Sequence, residues 1–169
     1  MNKVIFTFLF FLINIMLDTS RASVTNEDNL KSDINLDYRN SNKATIHVGD
    51  VSETESIRYS ITVKIGTDVT FYVKGNPTTG YSHRVTTRPE SSIVKVADTE
   101  PNYIPDKHSE MIVGYGGVYV FKFLAVGIGT TTSIIEYARY FENPPKPIFK
   151  TEIRFTVVDR LDDQGLFMS

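Results

Sequence analysis

Apolar and polar residues alternate along most of the chain from residue 57 onward. In the segment 58–66, Ile61, Val63 and Ile65 are separated by single polar residues. A period of two indicates a β-strand with one buried face, because successive side chains of a strand point to opposite sides. Similar segments, rich in β-branched and aromatic residues, predict strands at 44–48, 69–74, 82–87, 92–98, 118–126, 130–138 and 148–159.

The same alternation predicts which side chains face a common core. Gly and Pro mark the turns between the segments, and no stretch has the period of a useful amphipathic helix. The pattern therefore predicts an all-β sandwich of about seven to eight strands. Residues 99–113, which contain Pro101 and Pro105, are predicted to be a loop. The side chains predicted to point inward are Tyr119, Phe121, Phe123, Ile135, Tyr137, Phe149, Ile153, Phe155 and Val157.

Composition divides the chain into four segments. Residues 1–22 combine a short positive start, an apolar run and a small-x-small site, which predicts a secretory signal peptide; an uncleaved anchor is the alternative. Residues 23–56 are polar, and we expect a largely flexible extension. Residues 57–160 hold the alternating strands, and 161–169 are expected to be a tail. The expected product is secreted or held in a secretory, lysosome-like compartment, without stable membrane insertion.

Charge and cysteine content exclude several classes of protein. The formal net charge of −2 over 169 residues gives no electrostatic reason to expect nucleic acid as a partner. With no cysteine, the fold has no disulfides and must be held by its core alone. We expect a monomer.

Candidate chemistry is sparse. Gly75 to Gly80 has the outline of a phosphate-binding loop, but Tyr81 stands where that loop requires Lys. The three histidines, His47, His83 and His108, lack metal-ligand spacing, so no metal site is predicted. Neither a cofactor nor enzymatic activity is expected.

Three loops remain without a structural explanation. Glycine-rich backbone needs a reason such as tight turning or close approach of another chain, and aromatics beside an Arg are enriched in binding sites. Each loop taken singly could be an ordinary turn. The candidate binding residues are Asn76, Pro77, Thr78, Thr79, Gly80 and Tyr81 in a central loop, Gly114, Tyr115, Gly116 and Gly117 in a glycine loop, and Arg139, Tyr140 and Phe141 in an aromatic loop.

In their order along the chain, these motifs resemble the chagasin family of cysteine protease inhibitors. N-P-T-T-G-Y is the most specific match; G-x-G-G before a strand and an Arg-aromatic loop before the last strand follow it. The resemblance covers about residues 57–158. It implies an immunoglobulin-like β-sandwich that inhibits papain-like cysteine proteases, of the cathepsin L or B type, reversibly and competitively. It also implies that three loops at one end of the sandwich enter the active-site cleft.

The resemblance assigns a place in the cleft to each loop. The central loop would lie over the catalytic cysteine, with Thr78 nearest the catalytic pair. The glycine loop would lie on the non-primed side, its backbone pairing edge-on with the cleft wall, and the aromatic loop on the primed side. Two departures from the family are Arg139-Tyr140-Phe141 in place of Arg-Pro-Trp, and His83 where many members have Trp. An immunoglobulin-like adhesion or receptor-binding module without protease inhibition is the alternative interpretation.

Overall fold

The computed structural model describes residues 23–26, 33–37, 42–48, 56–98, 100–107, 114 and 116–160. The predicted signal peptide, the predicted tail and Tyr115 lie outside these residues. Within them, none of the helices could cross a membrane. The strands are β1 (Ser23–Asn26), β2 (Asp33–Asp37), β3 (Lys43–Val48), β4 (Ser56–Lys64), β5 (Asp68–Gly75), β6 (Ser82–Thr87), β7 (Val94–Val96), β8 (Asn102–Pro105), β9 (Gly117–Ala125), β10 (Gly129–Ala138) and β11 (Phe149–Val158).

These strands form the two sheets of an immunoglobulin-like sandwich, as the sequence predicts. The first sheet has the order β1-β4-β11-β10-β6, and the second has the order β2-β3-β5-β9-β7, with β8 also paired to β9. The pairs β4–β11 and β3–β5 are parallel, and the remaining pairs are antiparallel. The described strands number eleven rather than seven to eight, because short strands occur where the sequence lacks a clear period.

The core between the sheets is built from the alternating positions. Phe71 and Phe123 of the second sheet meet edge-on with ring centroids 6.0 Å apart, and Phe123 contacts Phe155 of the first sheet at 5.1 Å. Tyr59 packs edge-on against Phe71 at 5.6 Å. Most of the predicted inward side chains are buried; Tyr137 is only half-buried, because it stands at the end of the sandwich.

The N-terminal segment is more ordered than its composition predicts. β1 pairs with β4 at one sheet edge, and β3 pairs with β5 in the other sheet. The expectation of a largely flexible extension is therefore wrong where these strands lie. Short edge strands are held by main-chain hydrogen bonds to a neighbour, which composition does not reveal.

A second difference lies in the segment predicted to be a loop. Asn102 to Pro105 form β8, which pairs antiparallel with Val120 to Gly117 of β9. Pro105 ends the strand, the kind of edge position where a missing N–H is tolerated. β8 matters for the functional end of the molecule, because it runs beside the glycine loop.

The inward face of β3 provides a test of whether the N-terminal segment belongs to the fold. Ile46 is 0% exposed and packs in the core with Ala44 and Val48. Ile46→Ala should therefore lower the free energy of unfolding by about 3 kcal/mol, since it removes buried methyl groups and leaves a cavity. Thr45→Ala, at a half-buried position of the same strand, is the control and should change it by less than about 1 kcal/mol. Equal small effects in urea unfolding would show that β3 is not part of the stable domain.

Candidate functional site

The three candidate loops meet at one end of the sandwich. Gly75, at the end of β5, pairs with Gly117 at the start of β9. In the first sheet, Ala138 at the end of β10 pairs with Ser82 at the start of β6. A contact between Asn76 and Tyr137 joins the two sheets at this end. The sequence prediction that the loops cluster agrees with this arrangement.

The central loop is a single 3-10 turn, Pro77–Thr79, fixed by the residues on either side. Asn76 caps its start: the Oδ1 atom accepts hydrogen bonds from the Thr78 N–H at 3.1 Å and the Thr78 hydroxyl at 2.6 Å. At its end, Gly80 has φ of 82°, a left-handed conformation that favours glycine. Its N–H donates to the Pro77 carbonyl at 3.0 Å. The turn is thus held at both ends.

Two threonines stand at the exposed tip of the turn. The Thr79 hydroxyl donates to the Asn76 carbonyl at 2.6 Å, as the Thr78 hydroxyl does to the Asn76 side chain. A hydroxyl has one donor hydrogen and two acceptor lone pairs. Since both donors are used within the loop, the tip presents small, rigid side chains whose oxygens can still accept hydrogen bonds from a partner.

The glycine loop is tied to the central loop but is not a free strand edge. The Gly114 carbonyl accepts a hydrogen bond from Asn76 Nδ2 at 2.8 Å. Gly117 is buried and pairs with β5 on one side and β8 on the other. A Cβ there would collide with the Ile104 carbonyl and lie 2.7 Å from the Tyr103 hydroxyl, which explains this glycine.

This pairing corrects the expectation that residues 114–117 pair edge-on with a partner. The Gly116 carbonyl already accepts from the Asp106 N–H at 3.1 Å, and the Gly117 backbone has neighbours on both sides. Of the glycine loop residues that the structure describes, Gly114 is the most accessible.

The aromatic loop contains one exposed aromatic residue, Phe141, and one packed aromatic residue, Tyr140. Phe141 is 74% exposed, and one face of its ring lies against Gly80, where a Cβ would meet Phe141 Cε1 at 3.1 Å. Tyr140 instead packs back on the first sheet, where its hydroxyl donates to the Glu136 carbonyl at 3.0 Å and the Arg84 guanidinium lies 4.4 Å from its ring centroid. Burial and the nearby Glu136 carboxylate raise the pKa of Tyr140 to about 12. Phe141 is therefore the aromatic offered to a partner.

Behind the loops runs a row of five aromatic side chains, of which the motifs identify only Tyr81 as functional. Tyr137 stacks on His83 at 4.2 Å, and its hydroxyl accepts from the Asn76 N–H at 3.1 Å. The only sequence signal was the inward position of Tyr137 on β10, which predicts packing but not a bond to another loop. The row comprises Tyr81, Tyr137, His83, Tyr119 and Tyr103, with centroids of neighbours 4.2–5.3 Å apart.

His83 is buried in the middle of this aromatic row. It is 1% exposed; its Nε2 donates to the Lys74 carbonyl at 3.0 Å, and its Nδ1 has no hydrogen-bond partner among the described residues. Burial lowers the pKa of His83 to about 4, and the bond to Lys74 opposes the shift only in part. The side chain is thus a neutral packing group at neutral pH.

The described residues contain no group of three or more side chains suited to hold a metal ion. What they form at this end is a rigid projecting edge: a capped turn with small exposed side chains, flanked by one exposed glycine and one exposed phenylalanine. Such an edge is suited to entering a groove in another protein, since little conformational entropy remains to be lost on binding.

Comparison with known proteins identifies the family to which this protein belongs. A family model for the chagasin family peptidase inhibitor I42 matches residues 62–157, more than half of the chain. The protein belongs to the chagasin family of peptidase inhibitors. The match begins within β4 and ends within β11, so it includes all three loops and leaves β1, β2 and β3 outside.

Solved structures agree in fold. The cysteine protease inhibitor EhICP2 from Entamoeba histolytica matches with a TM-score of 0.53 at 15% identity, covering 69% of this chain and 96% of that one. PbICP-C, solved in complex with falcipain-2, matches with a TM-score of 0.54 at 17% identity, covering 68% of this chain and 98% of that one. No curated protein sequence matches the chain.

The buried His83 makes the stability of the fold sensitive to acid. The unfolded chain binds a proton at this position below pH 6.5, whereas the folded protein binds it only below about pH 4. Stability is therefore lost as the pH falls between these two values. From about pH 7 to about pH 5, this group should cost about 2 kcal/mol of unfolding free energy.

His83→Phe provides the comparison, because it keeps an aromatic ring in the row and removes the titrating group. Urea unfolding at both pH values should show a loss in the native protein that exceeds the loss in the variant by about 2 kcal/mol. Equal losses in the two proteins would show that His83 does not titrate as its burial requires.

Proposed function

We propose that this protein is a reversible, competitive inhibitor of papain-like cysteine proteases and that the three-loop edge is its binding surface. The observation that carries the proposal is the exposed Pro77–Thr79 turn, fixed by hydrogen bonds that Asn76 accepts from Thr78 and placed between Gly114 and Phe141. Membership of an inhibitor family supports the proposal. So do the two structural neighbours, one described as a cysteine protease inhibitor and the other solved with falcipain-2.

In the proposed complex, each loop has one task. Thr78 and Thr79 enter the cleft above the catalytic cysteine, where the small side chains fit and the free lone pairs accept hydrogen bonds. The turn, already closed on itself, does not extend into a path that the protease could cleave. Phe141 supplies apolar area on the primed side, and Gly114 approaches the non-primed wall without a side chain. Exposed aromatic anchors of this kind carry a large share of the energy in most interfaces.

The proposed setting is outside the cytosol, with the inhibitor acting as a monomer. The composition of residues 1–22 supports export. A single sandwich with its three loops at one end needs no second copy to complete the binding edge.

Thr78→Asp tests the central loop directly. It places a carboxylate beside the thiolate of the catalytic cysteine in the proposed complex, and it replaces the hydroxyl that donates to Asn76 Oδ1 by oxygens that can only accept. Inhibition of papain, followed with a fluorogenic peptide, should weaken at least about tenfold, as expected for a buried, unpaired charge. The protein is purified from a secreting host so that processing is natural.

Thr130→Asp is the matched control, because Thr130 is an exposed threonine on β10 near the far end of the sandwich. Its inhibition constant should stay within about twofold of the native value. Native protein that is folded, yet does not inhibit papain at micromolar concentration, would contradict the proposal and favour the adhesion or receptor-binding alternative.

A further inference from the structure

The side chain of Arg139 points back into the molecule and contacts the central loop. Its Nη2 donates to the Thr79 carbonyl at 3.3 Å, and its guanidinium lies 4.5 Å from the ring centroid of Tyr81. Nη1 lies 3.6 Å from a carboxylate oxygen of Glu142, within its own loop. One planar group thus touches both loops at once, which the rigid fork of an arginine permits.

The guanidinium of Arg139 is partly buried against its own molecule. The side chain of Arg139 is 39% exposed, and its Nε atom is buried without a hydrogen-bond partner among the described residues. The Nε atom lies near Gly80, where an added Cβ would be 3.8 Å away. An arginine offered to a protease would keep its fork in solvent, whereas this fork lies against the central loop.

The contact of Phe141 with Gly80 lies directly beside these bonds. Phe141 Cε1 would be 3.1 Å from a Cβ on Gly80, so the exposed ring is seated on the end of the central turn. Movement of either loop would break both the ring contact and the bonds of Arg139. The two loops therefore move as one unit, although the central loop joins β5 of the second sheet to β6 of the first, whereas the aromatic loop joins β10 to β11 within the first sheet.

We infer that Arg139 is a positioning residue: it holds the central and aromatic loops in one rigid edge, so that Thr78 and Phe141 reach the protease together. The inference rests on the proposed function and refines it, because the resemblance implied that Arg139 belongs to the contacting anchor. When the binding-competent arrangement is only partly populated, the apparent dissociation constant rises in inverse proportion to the populated fraction. Loss of the contacts between Arg139 and the central loop should therefore weaken inhibition without removing any contact with the protease.

Arg84 provides a matched control for this inference. It also places its guanidinium over a tyrosine, 4.4 Å from the ring centroid of Tyr140, but that contact joins β6 to the aromatic loop and does not involve the central loop. Arg139→Gln and Arg84→Gln each remove one positive charge and one contact with a tyrosine ring. If Arg139 acted only through general electrostatic attraction to the protease, the two variants would weaken inhibition to a similar degree. If Arg139 holds the two loops together, Arg139→Gln should weaken inhibition more than Arg84→Gln.

The first measurement uses the free inhibitor, without any protease. Backbone ¹⁵N relaxation should show that Arg139→Gln lowers the order parameters of the Thr78, Thr79 and Gly80 amides, while Arg84→Gln leaves them as in the native protein. Arg139→Lys keeps the charge but not the planar fork, and should lower them to an intermediate degree. If Arg139→Gln is poorly folded, Arg139→Lys takes its place in the comparison with Arg84→Gln.

The second measurement is inhibition of papain by the same proteins. Arg139→Gln should weaken inhibition at least about tenfold, Arg139→Lys by less, and Arg84→Gln by less than about twofold. Weaker inhibition with a fully ordered turn would overturn the inference and make Arg139 a direct contact. A disordered turn with unchanged inhibition would overturn it as well. If the native protein does not inhibit, the proposed function fails, while the relaxation data still decide whether Arg139 holds the loop.

Discussion

The binding end of this molecule depends on the hydrogen bonds of one residue, Asn76. Its side-chain oxygen closes the central turn on Thr78, and its side-chain nitrogen donates to the Gly114 carbonyl of the neighbouring loop. Its backbone N–H reaches the Tyr137 hydroxyl of the opposite sheet. The short carboxamide of Asn carries its donor and its acceptor on two separate atoms, so it can reach both loops at once. A carboxylate would lose the link to Gly114, and a hydroxyl would be too short to make both bonds.

This arrangement explains why a loop at the edge of a sandwich can be rigid without a disulfide. The two sheets are held apart by the core aromatics, Phe71, Phe123 and Phe155, so their loop ends keep a fixed separation. Asn76 and Arg139 then bridge that separation with polar contacts between loops. The loops are thus rigid because the core fixes the ends of the strands and a few hydrogen bonds between the loops fix the segments beyond them. Each of these bonds alone is worth about 1 kcal/mol, so the edge relies on several acting together.

The strands with a strong period could be predicted from the sequence, and the short edge strands could not. Alternation at 58–66 and 118–126 corresponds to β4 and β9 within a residue or two, because burial of one face forces the pattern. β1 and β8 have no such pattern, and the alternation in β2 is limited to two apolar residues, Ile34 and Leu36. They exist because a neighbouring strand offers free N–H and C=O groups, and that depends on the tertiary fold rather than on local composition.

The same distinction, between features with a local sequence pattern and features that depend on the tertiary fold, applies to the candidate site. Thr78 and Phe141 were named from the motifs, and the structure places both at exposed loop positions. Tyr137 was not, since a hydroxyl bond to a loop from the other sheet leaves no trace in local spacing. Gly117 was predicted for the wrong reason: its missing side chain makes room for β8. A motif thus names residue types in their order along the chain, and the structure separates those that are exposed at the loop tips from those that support the loops.

His83 shows what a departure from a family pattern can cost. The imidazole fills a position where many chagasin-like sequences have Trp, and it restores packing by stacking on Tyr137 and meeting Tyr119 edge-on. Its N–H also finds an acceptor, the Lys74 carbonyl, so in the neutral form it is a sound substitute at the cost of one unpaired nitrogen. Unlike indole, however, imidazole can be charged, and the apolar surroundings lower its pKa to about 4. The His83 ring stacks on Tyr137, and the Tyr137 hydroxyl is bonded to Asn76. Protonation of His83 therefore places a charge directly beneath the three-loop edge. In the folded protein the ring stays neutral until the pH approaches about 4, so acid first lowers the free energy of unfolding and charges the ring beneath the loops only below that pH.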